Sequence, residues 1–340
     1  MHTSVIGLQG SGKSTLMDAL VGQASGQSAS RGGLVTVKVP DERIDRLSKI
    51  FNPKKTIHAE IRMQEIPWTV KDGGDRRGEA EKYVKTLAGA EVLIHIVRGF
   101  ENPYLSDDPD PVRDLAAMDQ EMIFADLLTC ENYFERSKKK KPDPQQHAVL
   151  EKAHGILENE QFLYMAEFTE DERRHLAGFN FSTLIRQLVI VNVSEDGGKG
   201  QLKSTDQRPV LELPLNLARE VAELPADEQA EFLADMGVTE PLVNQVTREA
   251  YALMSFISFF TVGEDEVRAW TITAGMPAQR AAGKIHSDLE RGFIRAEVVD
   301  YETFMKQGTL KACKETGTLR VEGKTYEVKD GDIINVRFNV

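Results

Sequence analysis

Cysteine is nearly absent from the sequence, since Cys130 and Cys313 are its two occurrences in 340 residues. They have no partner spacing, so we expect buried thiols in a reducing compartment. The sequence also lacks an apolar run long enough to span a bilayer. It lacks the order of charged, apolar and small residues that marks a signal peptide. We therefore predict a cytoplasmic protein without a membrane partner.

Positively charged residues are fewer than negatively charged ones, with 42 Lys and Arg against 54 Asp and Glu, which gives a net charge of −12. An acidic chain is not a bulk electrostatic binder of nucleic acid, so such binding would need a local basic patch. The seven histidines show no metal-ligand spacing. His58 and His95 lie in strand-like runs and are interpreted as ordinary core or surface residues. The hydrophobic content of 41% is enough for two or three domains.

The clearest functional signal is a glycine-rich stretch at residues 7–14, which fits G-x-x-x-x-G-K-[ST]. A β-prone run precedes it and an amphipathic helix follows, which is the context a phosphate-binding loop requires. Glycines let backbone N–H groups approach phosphate oxygens, and the helix N-terminus faces the same anion. We expect Lys13 to act as the catalytic cation at the β- and γ-phosphates and Ser14 to ligate Mg²⁺. The predicted nucleotide-binding residues here are Gly7, Gln9, Gly10, Ser11, Gly12, Lys13, Ser14 and Thr15.

Apolar runs that alternate with helical segments predict an α/β fold. The runs at 91–97 and 188–193 are expected to be central parallel strands buried on both faces. Asn192, Val193 and Glu195 would then lie at the C-terminal edge of the sheet, where ligands bind in open α/β folds. We predict that they bind nucleotide, with Asn192 or Glu195 on the purine base.

The middle of the chain predicts an antiparallel helical hairpin around a proline turn at residues 142–144. Its tip would carry the four lysines Lys138 to Lys141. A solvated tip is the usual interpretation of such a run, and contact with a polyanion is the alternative. From residue 256 onward, short strands around one main helix predict a separate small domain.

A resemblance to the YchF family, also called Obg-like ATPases, rests on GLQGSGKSTLMDAL, VPDERIDRLSKIFNPKK, IHIVRGFENP and NVSED. The tail that ends in GKTYEVKDGDIINVRFNV looks like a TGS domain, a ubiquitin-like β-grasp module. The resemblance implies a GTPase-like P-loop domain at 1–110 and 182–255, a helical hairpin inserted at 111–181, and a TGS domain at 256–340.

The same resemblance implies a function. The family prefers ATP over GTP, hydrolyses it slowly with Mg²⁺, and associates with ribosomes. In this chain the ribosome or ribosomal RNA would be bound through the TGS domain and the Lys138–Lys141 tip.

The family's base motif is Asn-x-x-Glu in place of the GTPase Asn-Lys-x-Asp, and residues 192–195 match it. Aspartate accepts two hydrogen bonds from guanine, so a motif without it discriminates less against adenine. GTP remains the alternative nucleotide.

The metal-side motif departs from the family's Asp-x-x-Gly, because Glu65, Ile66, Pro67 and Trp68 stand in its place. Glu65, together with Ser14, is the predicted metal-side ligand. Pro67 has no N–H, and Trp68 replaces a flexible glycine whose N–H would meet the γ-phosphate. We expect the indole of Trp68 to pack against the neighbouring helix. Hydrolysis should therefore be slow or impaired, and a ribosome or RNA adaptor with a degenerate site is the alternative.

Overall fold

The computed structural model describes residues 2–23, 33–69, 76–138, 142–198, 202–235 and 240–339. The chain divides into two units. The first comprises Met1–Val37 and Arg62–Ala250, and the second comprises Lys38–Ile61 and Tyr251–Val340. Along the described part of the chain, the structure has no helix that combines the length and apolarity needed to cross a membrane.

A six-stranded sheet forms the centre of the first unit, with strands numbered along the chain. These strands are β1 (His2–Ile6), β2 (Leu34–Lys38), β4 (Glu60–Glu65), β5 (Val92–Arg98), β6 (Arg186–Asn192) and β7 (Val210–Leu213). Their order is β2-β4-β1-β5-β6-β7. The strand pairs β4–β1, β1–β5, β5–β6 and β6–β7 are parallel. Every residue of β5 is buried, as its continuous apolar run predicts.

Helices cover this sheet and form the hairpin. They are α1 (Lys13–Gln23), α3 (Arg76–Thr86), α4 (Pro111–Ser137), α5 (Pro144–Glu158), α6 (Glu170–Leu176), α7 (Leu215–Glu223), α8 (Ala226–Asp235) and α9 (Leu242–Leu253). Three short 3₁₀ helices occupy Leu163–Met165, Ala177–Phe179 and Ser182–Leu184. This is the predicted α/β architecture.

The two hairpin helices begin with the same local signal. Asp110 accepts a hydrogen bond from the backbone N of Arg113 at 3.0 Å, and Asp143 accepts one from Gln145 at 3.1 Å. A proline follows each aspartate at the first helical position, where its missing N–H is no loss. At the end of α4, Lys138 pairs with Glu135 at 2.5 Å. The remaining lysines of the predicted tip, 139–141, lie outside the described residues.

A buried carboxylate fastens α4 to the segment that leads into β6. Asp126 is fully buried and accepts hydrogen bonds from Ser182 N and Oγ at 3.2 and 3.3 Å. It accepts two more from Thr183 N and Oγ1 at 2.8 and 2.7 Å. Burial raises the pKa of Asp126 to about 6, because these bonds only partly offset its lost hydration.

The second unit is built on a six-stranded mixed sheet. Its strands are β3 (Lys55–Ile57), β8 (Phe256–Thr261), β9 (Glu266–Thr273), β10 (Phe293–Asp300), β11 (Arg320–Glu322) and β12 (Asp332–Phe338). Their order is β11-β10-β12-β8-β9-β3. Its helices are α2 (Glu42–Phe51), α10 (Ala278–Ile285), α11 (Ser287–Arg291), α12 (Tyr301–Gln307) and α13 (Leu310–Glu315).

The segment 38–61 belongs to this second unit, whereas the sequence-based division assigned it to the nucleotide-binding domain. The physical reason is a long-range strand pairing, since β3 pairs in parallel with β9 through Lys55 and Glu266. A salt bridge supports the pairing, because Arg43 Nη1 lies 2.6 Å from Asp330 Oδ2. The guanidinium also lies 5.2 Å from the ring centre of Phe260.

Candidate functional site

The glycine-rich loop between β1 and α1 adopts a backbone that needs its glycines. Gly7, Gly10 and Gly12 have φ values of +152°, +79° and +107°. A Cβ on Gly7 would lie 2.4 Å from the carbonyl oxygen of Ile96, and one on Gly12 would lie 2.2 Å from Nδ2 of Asn192. The loop therefore packs against the neighbouring strands β5 and β6 with no room for a side chain.

Lys13 points back into this loop from the first turn of α1. Its Nζ donates hydrogen bonds to the carbonyl oxygens of Gly7 at 2.9 Å and Leu8 at 3.0 Å. The residue is only 7% exposed. Burial lowers the pKa of the Lys13 ammonium, and the nearby carboxylate of Glu65 opposes that shift. The loop thus encloses a desolvated cation, which favours an anionic ligand.

Ser14 and Glu65 meet beside that cation. Ser14 Oγ donates a hydrogen bond to Glu65 Oε1 at 3.1 Å. The parallel register of β1 and β4 brings them together, because Val5 lies opposite Glu65. Hydroxyl and carboxylate oxygens are the donors that Mg²⁺ prefers, so the two predicted metal-side residues fit such an ion. Within the described ranges, there is no group of three or more His, Cys, Asp or Glu side chains that could hold a metal ion.

Asn192 connects three parts of the site through its side-chain amide. Its Nδ2 donates to the carbonyl oxygen of Ser11 at 3.0 Å, and its Oδ1 accepts from the backbone N of Leu215 at 3.2 Å. The residue is 4% exposed. Sequence reasoning predicted a contact between Asn192 and a base. It missed this bracing contact, which fixes the glycine-rich loop relative to the start of α7.

A cavity of about 550 Å³ opens at the C-terminal ends of β5, β6 and β7. The predicted residues Asn192, Val193 and Glu195 line it. Sequence reasoning did not identify the other lining residues, which include Gly99, Phe100, Glu101, Pro109 and Asn216. The end of the apolar run at residue 97 could have indicated them, because parallel strands end at a common edge of the sheet. The volume of this cavity is typical of small-ligand pockets, which span roughly 300–1,000 Å³.

The loop after β6 is held by two hydrogen bonds between Ser194 and Gly197. Ser194 Oγ donates to the carbonyl oxygen of Gly197 at 2.5 Å, and Gly197 N donates to the carbonyl oxygen of Ser194 at 3.0 Å. Glu195 lies at the turn of this loop and is exposed at the cavity. Its carboxylate is therefore accessible from solvent, unlike the amide of Asn192.

Trp68 packs on helix α3. Its ring centre lies 4.8 Å from that of Tyr83 on α3, with the planes at 69°. Such an edge-to-face pair is the preferred geometry for aromatic rings. Trp68 is partly buried against the core shared by the hairpin and α3, as the packing interpretation expected. Pro67 beside it is exposed.

His95 is a core residue. It lies in β5 opposite Ile6 and is fully buried. Burial, together with the nearby charge of Arg208, lowers its pKa to about 3. The imidazole is therefore neutral at pH 7.

The parallel sheet, the glycine-rich loop and the cavity at the strand ends define a P-loop nucleoside triphosphatase fold. The family model YchF-GTPase_C, described as "Protein of unknown function (DUF933)", matches residues 256–339. "Ribosome-binding ATPase YchF" of Bacillus subtilis (strain 168) is 34% identical over 365 residues, covering 100% of both chains. The protein of the same name from Escherichia coli O157:H7 is 34% identical, covering 99% of this chain and 98% of the other. The chain belongs to the YchF family.

A solved structure supports the fold over nearly the whole chain. It is described as "Structure of the Schizosaccharomyces pombe YchF GTPase" and superposes with a TM-score of 0.88. It covers 99% of this chain and 97% of that one, at 24% sequence identity. The fold that the sequence predicted is confirmed.

Proposed function

We propose that this protein binds a purine nucleoside triphosphate with Mg²⁺ and acts as a ribosome-associated regulatory factor. The observation that carries the proposal is the meeting of Lys13, Ser14 and Glu65 at the glycine-rich loop. Phosphoryl transfer depends on positioning and charge neutralisation, and this group of residues supplies a cation and two oxygen ligands. The cavity at the strand ends adjoins the loop through Asn192 and has room for a base.

The proposed nucleotide is ATP in preference to GTP. A GTPase recognises guanine with an aspartate that accepts two hydrogen bonds, and the loop from Asn192 to Glu195 has no aspartate at that position. The exposed carboxylate of Glu195 at the cavity can accept a hydrogen bond from the amino group of adenine. GTP is the alternative nucleotide.

Hydrolysis is proposed to be slow. Mg²⁺ bound with the nucleotide would supply charge neutralisation at the phosphates, and Ser14 and Glu65 are the residues that would hold it. The glycine position of Asp-x-x-Gly holds Trp68, whose side chain is packed on Tyr83, and the preceding Pro67 lacks an N–H. A missing donor at a transition-state oxygen costs on the order of 10²-fold in rate.

Association with the ribosome is proposed because two relatives that align over essentially the full chain are named "Ribosome-binding ATPase YchF". Lys138 to Lys141 and the C-terminal domain are the proposed contact regions. An adaptor that binds the ribosome without useful turnover is the second candidate, favoured by the replacement of Asp-x-x-Gly.

Phosphate release measured with and without ribosomes tests the proposal. We expect slow release of phosphate from ATP and co-sedimentation of the protein with ribosomes. Co-sedimentation without any release of phosphate would instead support the adaptor. If the protein neither releases phosphate nor co-sediments with ribosomes, both candidate functions are wrong.

A further inference from the structure

A groove lies between α7 and α8 of the first unit and has a volume of about 580 Å³. Its lining includes no residue of the phosphate-binding loop, although Leu217 also lines the cavity at the strand ends. Its apolar surface is formed by Leu217, Val221, Leu224 and Phe232. Its acidic surface is formed by Glu220, Glu228, Glu231 and Asp235. Among the residues that the structure describes, no basic side chain lines it.

The acidic surface follows from the sequence of α8. Residues 228, 231, 232 and 235 have the spacing i, i+3, i+4, i+7, which places them on one face of the helix. A face with this spacing is usually apolar and packed, yet three of the four residues are carboxylates. Phe232 lies among them and is 37% exposed.

Another face of α8 does the internal packing. Leu233 is buried in a cluster with Leu217 and Val221 of α7. Gln229 of α8 also donates hydrogen bonds to the carbonyl oxygens of Ala222 and Leu224. Leu233 and Gln229 therefore hold α8 on α7, and the acidic face is turned to the groove. The contacts of the described residues give no packing role to that face.

The four carboxylates are unpaired within the described part of the chain, where they make no hydrogen bond or ion pair. All four residues are exposed. Like charges around one groove repel each other, and a cationic partner relieves that repulsion. An exposed aromatic ring within a charged rim is the arrangement of an anchor site, with an apolar centre and a polar edge.

We propose that this groove binds a basic amphipathic helix of a protein partner. An apolar side chain of that helix would contact Phe232 and Leu224, and its Lys or Arg side chains would lie at the four carboxylates. Helix-in-groove recognition uses this combination of apolar anchors and flanking charge. RNA and anionic membranes are disfavoured occupants, because both would bring phosphates to carboxylates. The proposal does not depend on nucleotide binding.

The test uses a fluorescein-labelled amphipathic peptide of Leu and Lys, titrated with the full chain and followed by fluorescence anisotropy. Its twin, in which Glu replaces every Lys, has the same apolar face. Because the chain is acidic overall, a cationic peptide is attracted to the whole surface. A control with matched charge is therefore required.

The groove variant is Glu228→Lys with Glu231→Lys, and the matched control is Glu223→Lys with Asp227→Lys. Each pair changes the net charge equally and removes one acidic residue from the first turn of α8. The exposed residues Glu223 and Asp227 lie on α7 and α8 but do not line the groove.

We expect the Lys peptide to bind the unmodified chain and its Glu twin not to bind. The groove variant should lose about 10-fold or more in affinity, while the control pair stays within about threefold. Phe232→Ala, which removes an exposed ring, should also weaken binding. Circular dichroism and thermal unfolding establish that each variant is folded. Equal losses in the two charge-reversal pairs, or no binding of the Lys peptide, would overturn the proposal.

Discussion

Asn192 Nδ2 lies 3.0 Å from the carbonyl oxygen of Ser11, although 181 residues separate them in the chain. This contact fixes the glycine-rich loop relative to the last strands of the sheet. It holds the predicted phosphate site and the predicted base site in a fixed position relative to each other. The residue that the base motif supplies is therefore also a structural brace of the phosphate loop.

The first prediction concerns this brace. Asn192→Ala leaves the Ser11 carbonyl and the Leu215 N–H without their buried partners, which costs about 1–3 kcal/mol for each group. We expect a lower free energy of unfolding in urea and weaker nucleotide binding. Glu195→Ala removes an exposed side chain of the same loop and should leave the unfolding free energy nearly unchanged. Equal stability of the two variants would contradict the bracing role.

The second prediction concerns the enclosed cation. Lys13→Ala should weaken ATP binding by about 10- to 100-fold or more, because a hydrogen bond from a charged donor contributes about 1.5–3 kcal/mol. Calorimetric titration measures the affinity, and circular dichroism checks the fold. Lys82→Ala, which removes an exposed lysine of α3, serves as the control. Unchanged ATP affinity in a folded Lys13→Ala protein would contradict the site.

The third prediction is a pH dependence of stability. The folded pKa of Asp126 is raised to about 6, whereas an unfolded aspartate titrates near 4. The folded state therefore binds more protons than the unfolded state between these two values. The contribution of Asp126 to the unfolding free energy should fall as the pH rises from about 4 to about 6, and then stay constant.

Urea unfolding of the unmodified chain and of Asp126→Asn, each measured from pH 4 to pH 7, isolates this contribution. As the pH rises to about 6, the unfolding free energy of the unmodified protein should fall relative to that of Asp126→Asn. A difference that is constant across the range would show that Asp126 titrates normally.

The fourth prediction concerns the slow step. Glu65→Asp combined with Trp68→Gly restores the family pattern and should raise phosphate release, measured under single-turnover conditions. An increase of up to roughly 10²-fold is expected if one transition-state donor is regained. Trp68→Phe is the control, because it keeps an aromatic contact to Tyr83 without supplying a glycine. If the unmodified protein turns over as fast as the restored variant, the explanation is wrong.

Local patterns predicted much of the fold and of the site. The apolar run of β5 predicted a central strand, and every residue of that strand is buried. The glycine-rich loop was predicted from its spacing, and the structure brings Lys13, Ser14 and Glu65 together there. Such features depend on neighbouring residues in sequence and on the parallel order of the strands.

Contacts between residues far apart in the chain were harder to predict from the sequence. The pairing of β3 with β9 joins residues more than 200 positions apart, and no local pattern at 55–57 specifies its partner strand. The bracing role of Asn192 likewise depends on how closely the glycine-rich loop approaches β6. The acidic groove was not predicted, because its apolar and charged residues come from two helices that pack through Leu233 and Gln229.

Paired calorimetric titrations determine whether the site binds ATP in preference to GTP. ATP and GTP are titrated into the nucleotide-free chain with Mg²⁺ at constant ionic strength. We expect a lower dissociation constant for ATP, because the loop from Asn192 to Glu195 lacks the aspartate that recognises guanine. Equal dissociation constants, or tighter binding of GTP, would contradict it.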